Sequence, residues 1–316
     1  MTEAPSRADA ARASRGAIRR IFFRRQFYLQ LARLAMSRPR RGATFVTLMG
    51  GLGDLINAFP SIEALAERGP IDMGTGGPPY RTLVEANPRI RTVYAPFVYK
   101  PARPAHRRLI TRVTARVYER VVLLDSDDPR WWTHGEHLLA RYARACGVPP
   151  ASHGRVHVRP EHHATAQAHL ERLGLRDYIY VVQLVRRRRP LRSWPLEHYH
   201  ALYAALRRFT DVPIVVDTTG SDERAIPGDC IPLGALGMLP ACAAVQRARL
   251  FIGPDTGLTH AAGVLGTPTV AIHVGFPAET CAARGPRVRV VRQAEPFTDP
   301  KLTTPEQVFE AVERTW

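Results

Sequence analysis

The sequence predicts an α/β protein with two domains, each built around a mostly parallel sheet. Apolar runs of strand length alternate with helical segments, and they do so in two series along the chain. Runs rich in Val, Ile and Leu that are separated by helices are typical of parallel sheets covered on both faces. A chain of 316 residues with 45% hydrophobic residues can also bury two cores of ordinary size.

A basic segment, residues 1–41, is expected to come first. It contains eleven Arg against Glu3 and Asp9. At 100° per residue, one helical face would hold four apolar residues, Phe23, Phe27, Leu31 and Leu34, and four arginines would flank it, Arg19, Arg20, Arg24 and Arg33. Such a segment can lie on an anionic membrane surface. The alternatives are a helix that packs on the first domain and a disordered tail.

The first domain is predicted over residues 42–165. It opens with the strand "TFVTLM", followed by a helix from Asp54 to Glu67, and closes with the strand "RVVLLD", followed by a helix from Trp132 to Cys146. A polar helical stretch at residues 159–176 follows "RVHVR" and marks the boundary.

The second domain is predicted over residues 166–316, with five strand-like runs: "YIYVVQLV", "VPIVVD", "RLFIG", "PTVAIHV" and "RVRVV". The chain ends in a helix that Thr304 can cap, with Pro305 at its first position.

Charge and cysteine usage limit the classes of partner. The formal net charge of +17 favours anionic partners such as a nucleotide, a phosphorylated glycolipid, a membrane or a nucleic acid. No nucleic-acid motif is recognised, and the basic clusters lack interleaved aromatic residues, so no nucleic-acid partner is expected. Four scattered cysteines without a CxxC pair indicate reduced thiols in the cytoplasm. The apolar runs are too short for a membrane span.

The stretch "RLFIGPDTGLTHAAGVLG" places Asp255, Thr256 and Gly257 between a strand and a helix. A helix that begins at the carboxyl end of a parallel strand presents free N–H groups and a positive dipole end, which bind phosphate. The Thr256 hydroxyl could donate to a phosphate oxygen. The alternative is that Asp255 and Thr256 only cap the helix and that His260 is an ordinary surface or core histidine.

The stretch "TLMGGLGDLINAFPSIEAL" places Asp54 at the N-terminus of the first domain's first helix. The third glycine of a dinucleotide fingerprint is missing, which makes a dehydrogenase improbable. A carboxylate at this position could be a general base, or simply an N-terminal helix residue.

Together, three stretches resemble the ADP-heptose:lipopolysaccharide heptosyltransferases, glycosyltransferase family 9 of the GT-B superfamily. They are "GGLGDLINAFPSIEAL", "RSWPLEHYHAL" and "LPACAAVQRARLFIGPDTGLTHAAGVLGTPTVAIHVGFP". The resemblance covers residues from about 42 to 316. It implies two Rossmann-like domains that face a cleft, with the acceptor mainly on the first and the nucleotide-sugar mainly on the second. It also implies a final helix that crosses back to the first domain.

Residue by residue, the resemblance implies that Asp54 is the catalytic base of an inverting transfer. It implies that Asp255, Thr256 and Gly257 bind the pyrophosphate of the donor and that His260 faces the donor. Because the helix N-terminus would stabilise negative charge on the departing ADP, neither a metal nor any other cofactor is implied.

Two positions depart from the family pattern. Arg192 stands just before Ser-Trp-Pro, where the family usually has Lys, and its forked guanidinium can still bind phosphate. The segment after "VPIVVD" is short, which leaves Asp222 or Glu223 as the acidic ribose-binding residue. At least two of the four arginines at residues 186–189 are expected to form only a solvated charge run.

A second basic cluster comprises Lys100, Arg103, Arg107, Arg108, Arg112 and Arg116. It lies in the domain where the resemblance implies an anionic, lipid-linked acceptor, and Arg103, Arg107 and Arg108 are its candidate acceptor residues. An ordinary solvated helix face is the alternative.

The sequence therefore predicts a glycosyltransferase that moves a heptose from an ADP-sugar donor to an anionic glycolipid acceptor. It would act in the cytoplasm, at the peripheral surface of the inner membrane. Another nucleotide-sugar, a protein acceptor and, more remotely, a non-enzymatic nucleotide or nucleic-acid binder are the rival hypotheses.

Overall fold

The computed structural model describes residues 25–100, 103–126 and 128–316. These residues form two compact units. Of the described residues, the first unit comprises those within 25–49 and 66–129, and the second comprises Gly50–Leu65 and Arg130–Trp316.

The first unit contains a parallel sheet of four strands in the order β3-β2-β1-β4. Its elements are helix α1 (residues 25–35), β1 (Arg40–Thr47), β2 (Ile71–Gly74), α3 (Pro78–Glu85), β3 (Ile90–Tyr94), α4 (Pro104–Thr114) and β4 (Tyr118–Leu123). Helix α2 (Leu52–Ala66) follows β1 directly and belongs, except for its last residue, to the second unit.

The second unit contains a parallel sheet of six strands in the order β10-β9-β8-β5-β6-β7. Its remaining helices are α5 (Leu138–Cys146), α6 (Pro160–Arg172), α7 (Leu196–Phe209), α8 (Met238–Arg247), α9 (Gly257–Val264), α10 (Ala278–Cys281) and α11 (Pro305–Glu313). Its strands are β5 (Ile179–Val182), β6 (Ile214–Asp217), β7 (Ile231–Pro232), β8 (Leu250–Pro254), β9 (Thr269–His273) and β10 (Val288–Arg292).

Both faces of the six-stranded sheet are covered, as its apolar strands require. Ile179 and Val181 of β5 pack with α7 and α11, whereas Tyr180 and Val182 pack with α6 and α8. The strand order reverses between β5 and β8, so the loops that leave these two strands diverge to opposite faces. Such a reversal opens a crevice at the carboxyl ends of the strands, where α/β proteins bind ligands.

The structure confirms the predicted α/β class and most of the named elements. The helix predicted from Trp132 begins only at Leu138, because residues 131–134 form a 3-10 turn that ends at Gly135, which has a φ of 67°. No strand and no definite helix was predicted between Glu67 and Arg120, yet β2, α3, β3 and α4 lie there. Their apolar runs are short or interrupted by charged residues.

The final helix starts as predicted, with Thr304 accepting a hydrogen bond from the Gln307 N–H and Pro305 in its first turn. It packs on α7, β9 and β10 of the second unit. The crossing back to the first domain, like the domain boundaries at residues 41 and 165, stays a prediction.

Helix α1 buries the apolar face that was offered as a membrane contact. Phe27, Leu31 and Leu34 are 1%, 4% and 0% exposed and belong to the core of the first unit. For the described residues the structure therefore shows the alternative, a helix packed on its domain. Phe23, Arg19, Arg20 and Arg24 lie outside the described residues.

Over the described residues, none of the helices has both the length and the apolar character to cross a bilayer.

Candidate functional site

The carboxyl end of β8 delivers the Asp-Thr-Gly turn to the point where the strand order reverses. Thr256 is the N-cap of α9, and its hydroxyl accepts a hydrogen bond of 3.4 Å from the Thr259 N–H. The Thr259 hydroxyl donates to the Pro254 carbonyl, so the Thr256 proton can go to Thr259 or turn towards a ligand. The first turn of α9, starting at Gly257, offers its remaining N–H groups to an anion.

Asp255 is paired on both of its carboxylate oxygens. Oδ2 lies 3.2 Å from an Arg192 guanidinium nitrogen, and Oδ1 lies 3.4 Å from His260 Nε2. Burial by itself would raise the pKa of this carboxyl, but the His260 hydrogen bond and the fields of His273 and Arg192 outweigh burial and lower it. Asp255 is therefore ionised and holds two cationic or donor groups in place.

The loop after β5 holds Arg192 in a fixed position. The Arg192 guanidinium lies over the Phe276 ring, 4.3 Å from its centroid, and Gly275 allows the Arg192 side chain to pass close to the backbone. Two residues on, the buried Trp194 indole donates a 2.7 Å hydrogen bond to the Thr303 carbonyl. The Ser-Trp-Pro sequence after Arg192 thus has a structural explanation, since Trp194 anchors the loop that carries Arg192.

Asp54 lies in the first turn of α2, partly exposed. Its Oδ2 accepts a hydrogen bond from the Gly51 N–H, and its Oδ1 accepts one of 3.1 Å from the Tyr142 hydroxyl. Burial raises the pKa of the Asp54 carboxyl above its ordinary value, and these two hydrogen bonds oppose the rise. A carboxylate with a raised pKa is a stronger base than a solvated one.

His260 joins the two turns. Its Nδ1 lies 3.4 Å from the Asn57 amide nitrogen, and its Nε2 lies 3.4 Å from Asp255 Oδ1. The first turn of α2 packs closely on this imidazole: a Cβ on Gly53 would lie 2.4 Å from His260 Cδ2. The candidate base and the candidate phosphate turn therefore belong to one cluster of contacts.

Other predicted residues have contacts of their own. The Glu223 carboxylate is 3.4 Å from the Arg187 guanidinium, and the Asp222 carboxylate accepts a 2.9 Å hydrogen bond from the Arg187 N–H. Both remain candidates for the ribose. Arg103 and Arg108 are exposed on the first unit, Arg103 as the N-cap of α4 and Arg108 within it. Arg107 is half-buried and donates to the Asp125 carbonyl at 3.1 Å.

Three residues of the cluster were missed by sequence reasoning. Asn57 follows Asp54 by three positions, so helical spacing could have placed it on the same face. Phe276 follows β9 just as Asp255 follows β8, and the edge rule for parallel strands could have suggested it. Tyr142 carries no local signal.

The cluster combines a basic carboxylate with a positively charged helix end and a fixed arginine, which suits a displacement that releases an anionic leaving group. In the part of the chain that the structure describes, no group of three or more His, Cys, Asp and Glu side chains is arranged to hold a metal ion. Each of the four cysteines is a buried thiol outside any disulfide.

Comparisons with solved structures support the fold. A family 9 glycosyl transferase from Veillonella parvula matches with a TM-score of 0.64 and 16% identity, over 87% of this chain and 97% of that one. The ADP-heptose lps heptosyltransferase II of E. coli matches with a TM-score of 0.62 and 16% identity, over 86% of this chain and 98% of that one. E. coli heptosyltransferase WaaC, solved with ADP, matches with a TM-score of 0.58 and 15% identity, over 87% of this chain and 100% of that one. Because the identities are this low, the matches show the fold alone, and that fold is the predicted GT-B fold.

The comparison with curated proteins gave no match. The family model described as glycosyltransferase family 9 (heptosyltransferase) matches residues 127–307, which is more than half of the chain. That range includes Arg192 and the Asp255 turn, and it begins after Asp54. The predicted family is thereby confirmed: this chain belongs to glycosyltransferase family 9.

Proposed function

We propose that this chain transfers a heptose from ADP-heptose to an acceptor of the lipopolysaccharide core, with inversion at the anomeric carbon and without a metal ion. One observation carries the proposal. His260 connects the Asp54 turn with the Asp255–Gly257 turn, so a general base and an anion-binding helix end belong to one cluster. Two similar E. coli structures, the ADP-heptose lps heptosyltransferase II and heptosyltransferase WaaC with ADP, support this class of donor.

In this mechanism Asp54 takes the proton of an acceptor hydroxyl. The acceptor O–H bond breaks while that oxygen forms a new bond to the anomeric carbon from the face opposite ADP. The bond between the anomeric carbon and the ADP oxygen breaks, and its electron pair leaves with ADP, so the configuration inverts. A well-placed general base contributes roughly 10²–10⁴-fold to such a step.

The leaving group would be stabilised by the first-turn N–H groups of α9 and by Arg192. These groups can carry the charge neutralisation that a divalent cation supplies in other transferases. The negative charge of Asp255 is already shared by Arg192 and His260, which keeps the turn attractive to a pyrophosphate. Glu223, or its neighbour Asp222, would accept hydrogen bonds from the ribose hydroxyls.

The acceptor would be an anionic glycolipid held by Arg103, Arg107 and Arg108 of the first unit, at the inner face of the membrane. Exposed arginines on α4 support this assignment. Exposed apolar side chains in and just after α1 also support it: Tyr28, Leu29 and Met36 are 43%, 52% and 80% exposed. Exposed apolar and basic side chains suit an anionic bilayer surface.

Calorimetric binding of ADP, UDP, GDP and CMP in the presence of EDTA tests the proposal. Selective binding of ADP is expected for the wild type and for Asp54→Asn, with loss of binding in Asp255→Ala. Of these three proteins, only the wild type is expected to transfer heptose from ADP-heptose. The control is Asp211→Ala, which removes an exposed carboxylate and should bind ADP normally.

Other outcomes would revise the proposal. Selective binding of a different nucleotide would keep the family and replace the donor. Failure to bind any of the four nucleotides, or full transfer by Asp54→Asn, would contradict the proposed chemistry.

A further inference from the structure

Helix α5 carries a tyrosine hydroxyl to the candidate base. The helix begins after His137, whose side chain accepts a hydrogen bond from the Leu139 N–H, and it ends at Gly147, which has a φ of 63°. Between these two ends Tyr142 is 2% exposed, and its hydroxyl lies 3.1 Å from Asp54 Oδ1. Because both ends of α5 are fixed and the ring is buried, the hydroxyl has little freedom to leave Asp54.

The Asp54 carboxylate therefore has one donor on each oxygen. The Gly51 N–H donates a hydrogen bond to Oδ2, and the Tyr142 hydroxyl donates one to Oδ1. Two donors on different oxygens oppose rotation of the carboxylate about its Cβ–Cγ bond. Each oxygen also has a further lone pair that can receive a proton, since a carboxylate offers about four acceptor positions.

We propose that Tyr142 is a positioning residue for the catalytic base, holding Asp54 Oδ1 so that a free lone pair of the carboxylate meets the acceptor hydroxyl. This inference rests on the proposed function, in which Asp54 is the base. It assigns to Tyr142 no contact with donor or acceptor.

The hydrogen bond also affects the protonation of Asp54. Four titratable groups act on this carboxyl: Tyr142 of α5, His260 of α9, Asp255 before α9 and Cys281 of α10. Burial and Asp255 raise the pKa of Asp54, whereas the Tyr142 bond and His260 lower it. Loss of the tyrosine hydroxyl would remove a group that favours the carboxylate, so the pKa would rise further.

Tyr142→Phe tests the proposal because it removes the hydroxyl and keeps the ring. We expect kcat to fall by about tenfold, the effect of one charge-assisted hydrogen bond of ~1.4 kcal/mol. The acid limb of the pH profile of kcat should move to higher pH, while KM for the donor and Kd for ADP stay unchanged. Carbon-13 NMR titration of the Asp54 carboxyl, assigned with Asp54→Asn, should move in the same direction without any need for turnover.

Tyr178→Phe is the matched control. The Tyr178 hydroxyl is also buried in the second unit, and it donates to the Ala244 carbonyl at 2.6 Å. This variant should lose stability without moving the acid limb. If Tyr142→Phe behaves in the same way as Tyr178→Phe, Tyr142 is only structural and the inference is overturned.

The two proposals fail differently. If wild-type transfer is absent, or survives in Asp54→Asn, the proposed function fails. If wild-type transfer depends on Asp54 and Tyr142→Phe leaves kcat, the acid limb and the carboxyl titration unchanged, only the role of Tyr142 fails.

Discussion

At the scale of single residues, the role of a histidine depends on its hydrogen-bond partners. His260 is 4% exposed, and its two nitrogens face Asn57 and Asp255, so its position depends on two segments of the site. Sequence reasoning directed His260 towards the donor and did not anticipate Asn57. His137 is equally buried, but its Nε2–H donates 3.1 Å to the Ala282 carbonyl and its Nδ1 accepts from a backbone N–H. It therefore acts as a neutral cap.

His137 should make stability depend on pH. Burial lowers the pKa of its imidazole from 6.5 to about 4. Between these values the unfolded chain binds the proton and the folded chain does not, so the free energy of unfolding falls as pH is lowered through this window. Its contribution is complete above pH 6.5. We expect His137→Asn, which can still cap α5, to be less sensitive to acid than the wild type by about 2 kcal/mol between pH 7.5 and 5.

Chemical denaturation at each pH measures this difference. His134→Asn, at an exposed histidine in the preceding turn, provides the control and should follow the wild type. Parallel pH dependence of the wild type and His137→Asn would show that His137 is protonated in the folded protein.

At the scale of elements, the site depends on how closely α2 approaches α9. Glycines make that approach possible: a Cβ on Gly53 would meet His260, and one on Gly257 would lie 2.6 Å from Leu52 Cβ. The sequence shows both glycines beside Asp54 and Asp255, where phosphate approach was the expected reason for Gly257. The structure adds helix-to-helix contact as a reason.

Gly53→Ala should therefore damage the site. The added methyl must displace His260, which Asn57 and Asp255 hold from either side, and overpacking of this kind costs about 1–3 kcal/mol. We expect a lower free energy of unfolding and weaker transfer. Gly228→Ala is the matched control, since no atom lies within 4 Å of its added Cβ. Equal stability and activity of the two variants would contradict the close packing of α2 on His260.

At the scale of the whole molecule, the net charge of +17 matters more than any single ion pair. Isolated arginines on a surface contribute little to stability, whereas their summed field attracts anions and membranes. Exposed arginines occur on α1 and α4 of the first unit, and the exposed apolar side chains Tyr28, Leu29 and Met36 also lie in or just after α1.

Vesicle sedimentation and acceptor kinetics test this arrangement. Binding to anionic vesicles should weaken with salt, and further with the triple change Tyr28→Ser, Leu29→Ser and Met36→Ser. Arg103→Gln and Arg108→Gln should each raise the acceptor KM about fivefold, or ~1 kcal/mol, with the donor KM unchanged. The control pair, Arg176→Gln and Arg208→Gln, removes the same charge from exposed positions of the second unit. An equal effect of both pairs would reduce the proposed acceptor site to non-specific charge.

Features that depend on neighbours along the chain could be predicted from the sequence alone. Strand-length apolar runs predicted the fold class. The Thr304 cap predicted the start of the last helix, and the Asp-Thr-Gly step predicted the candidate phosphate turn at the start of α9. Each of these signals is encoded within a few residues. The family resemblance added Asp54.

Which distant groups meet depends on the tertiary structure. Tyr142 reaches Asp54 across 88 residues, and Asn57 reaches His260 across 203. Contacts at such separations depend on the packing of whole helices, and no local pattern encodes them. The placement of helix α1 also depends on tertiary packing. Its apolar periodicity fits a membrane surface or a protein core equally well, and in the structure its apolar face is buried in the aromatic core of the first unit.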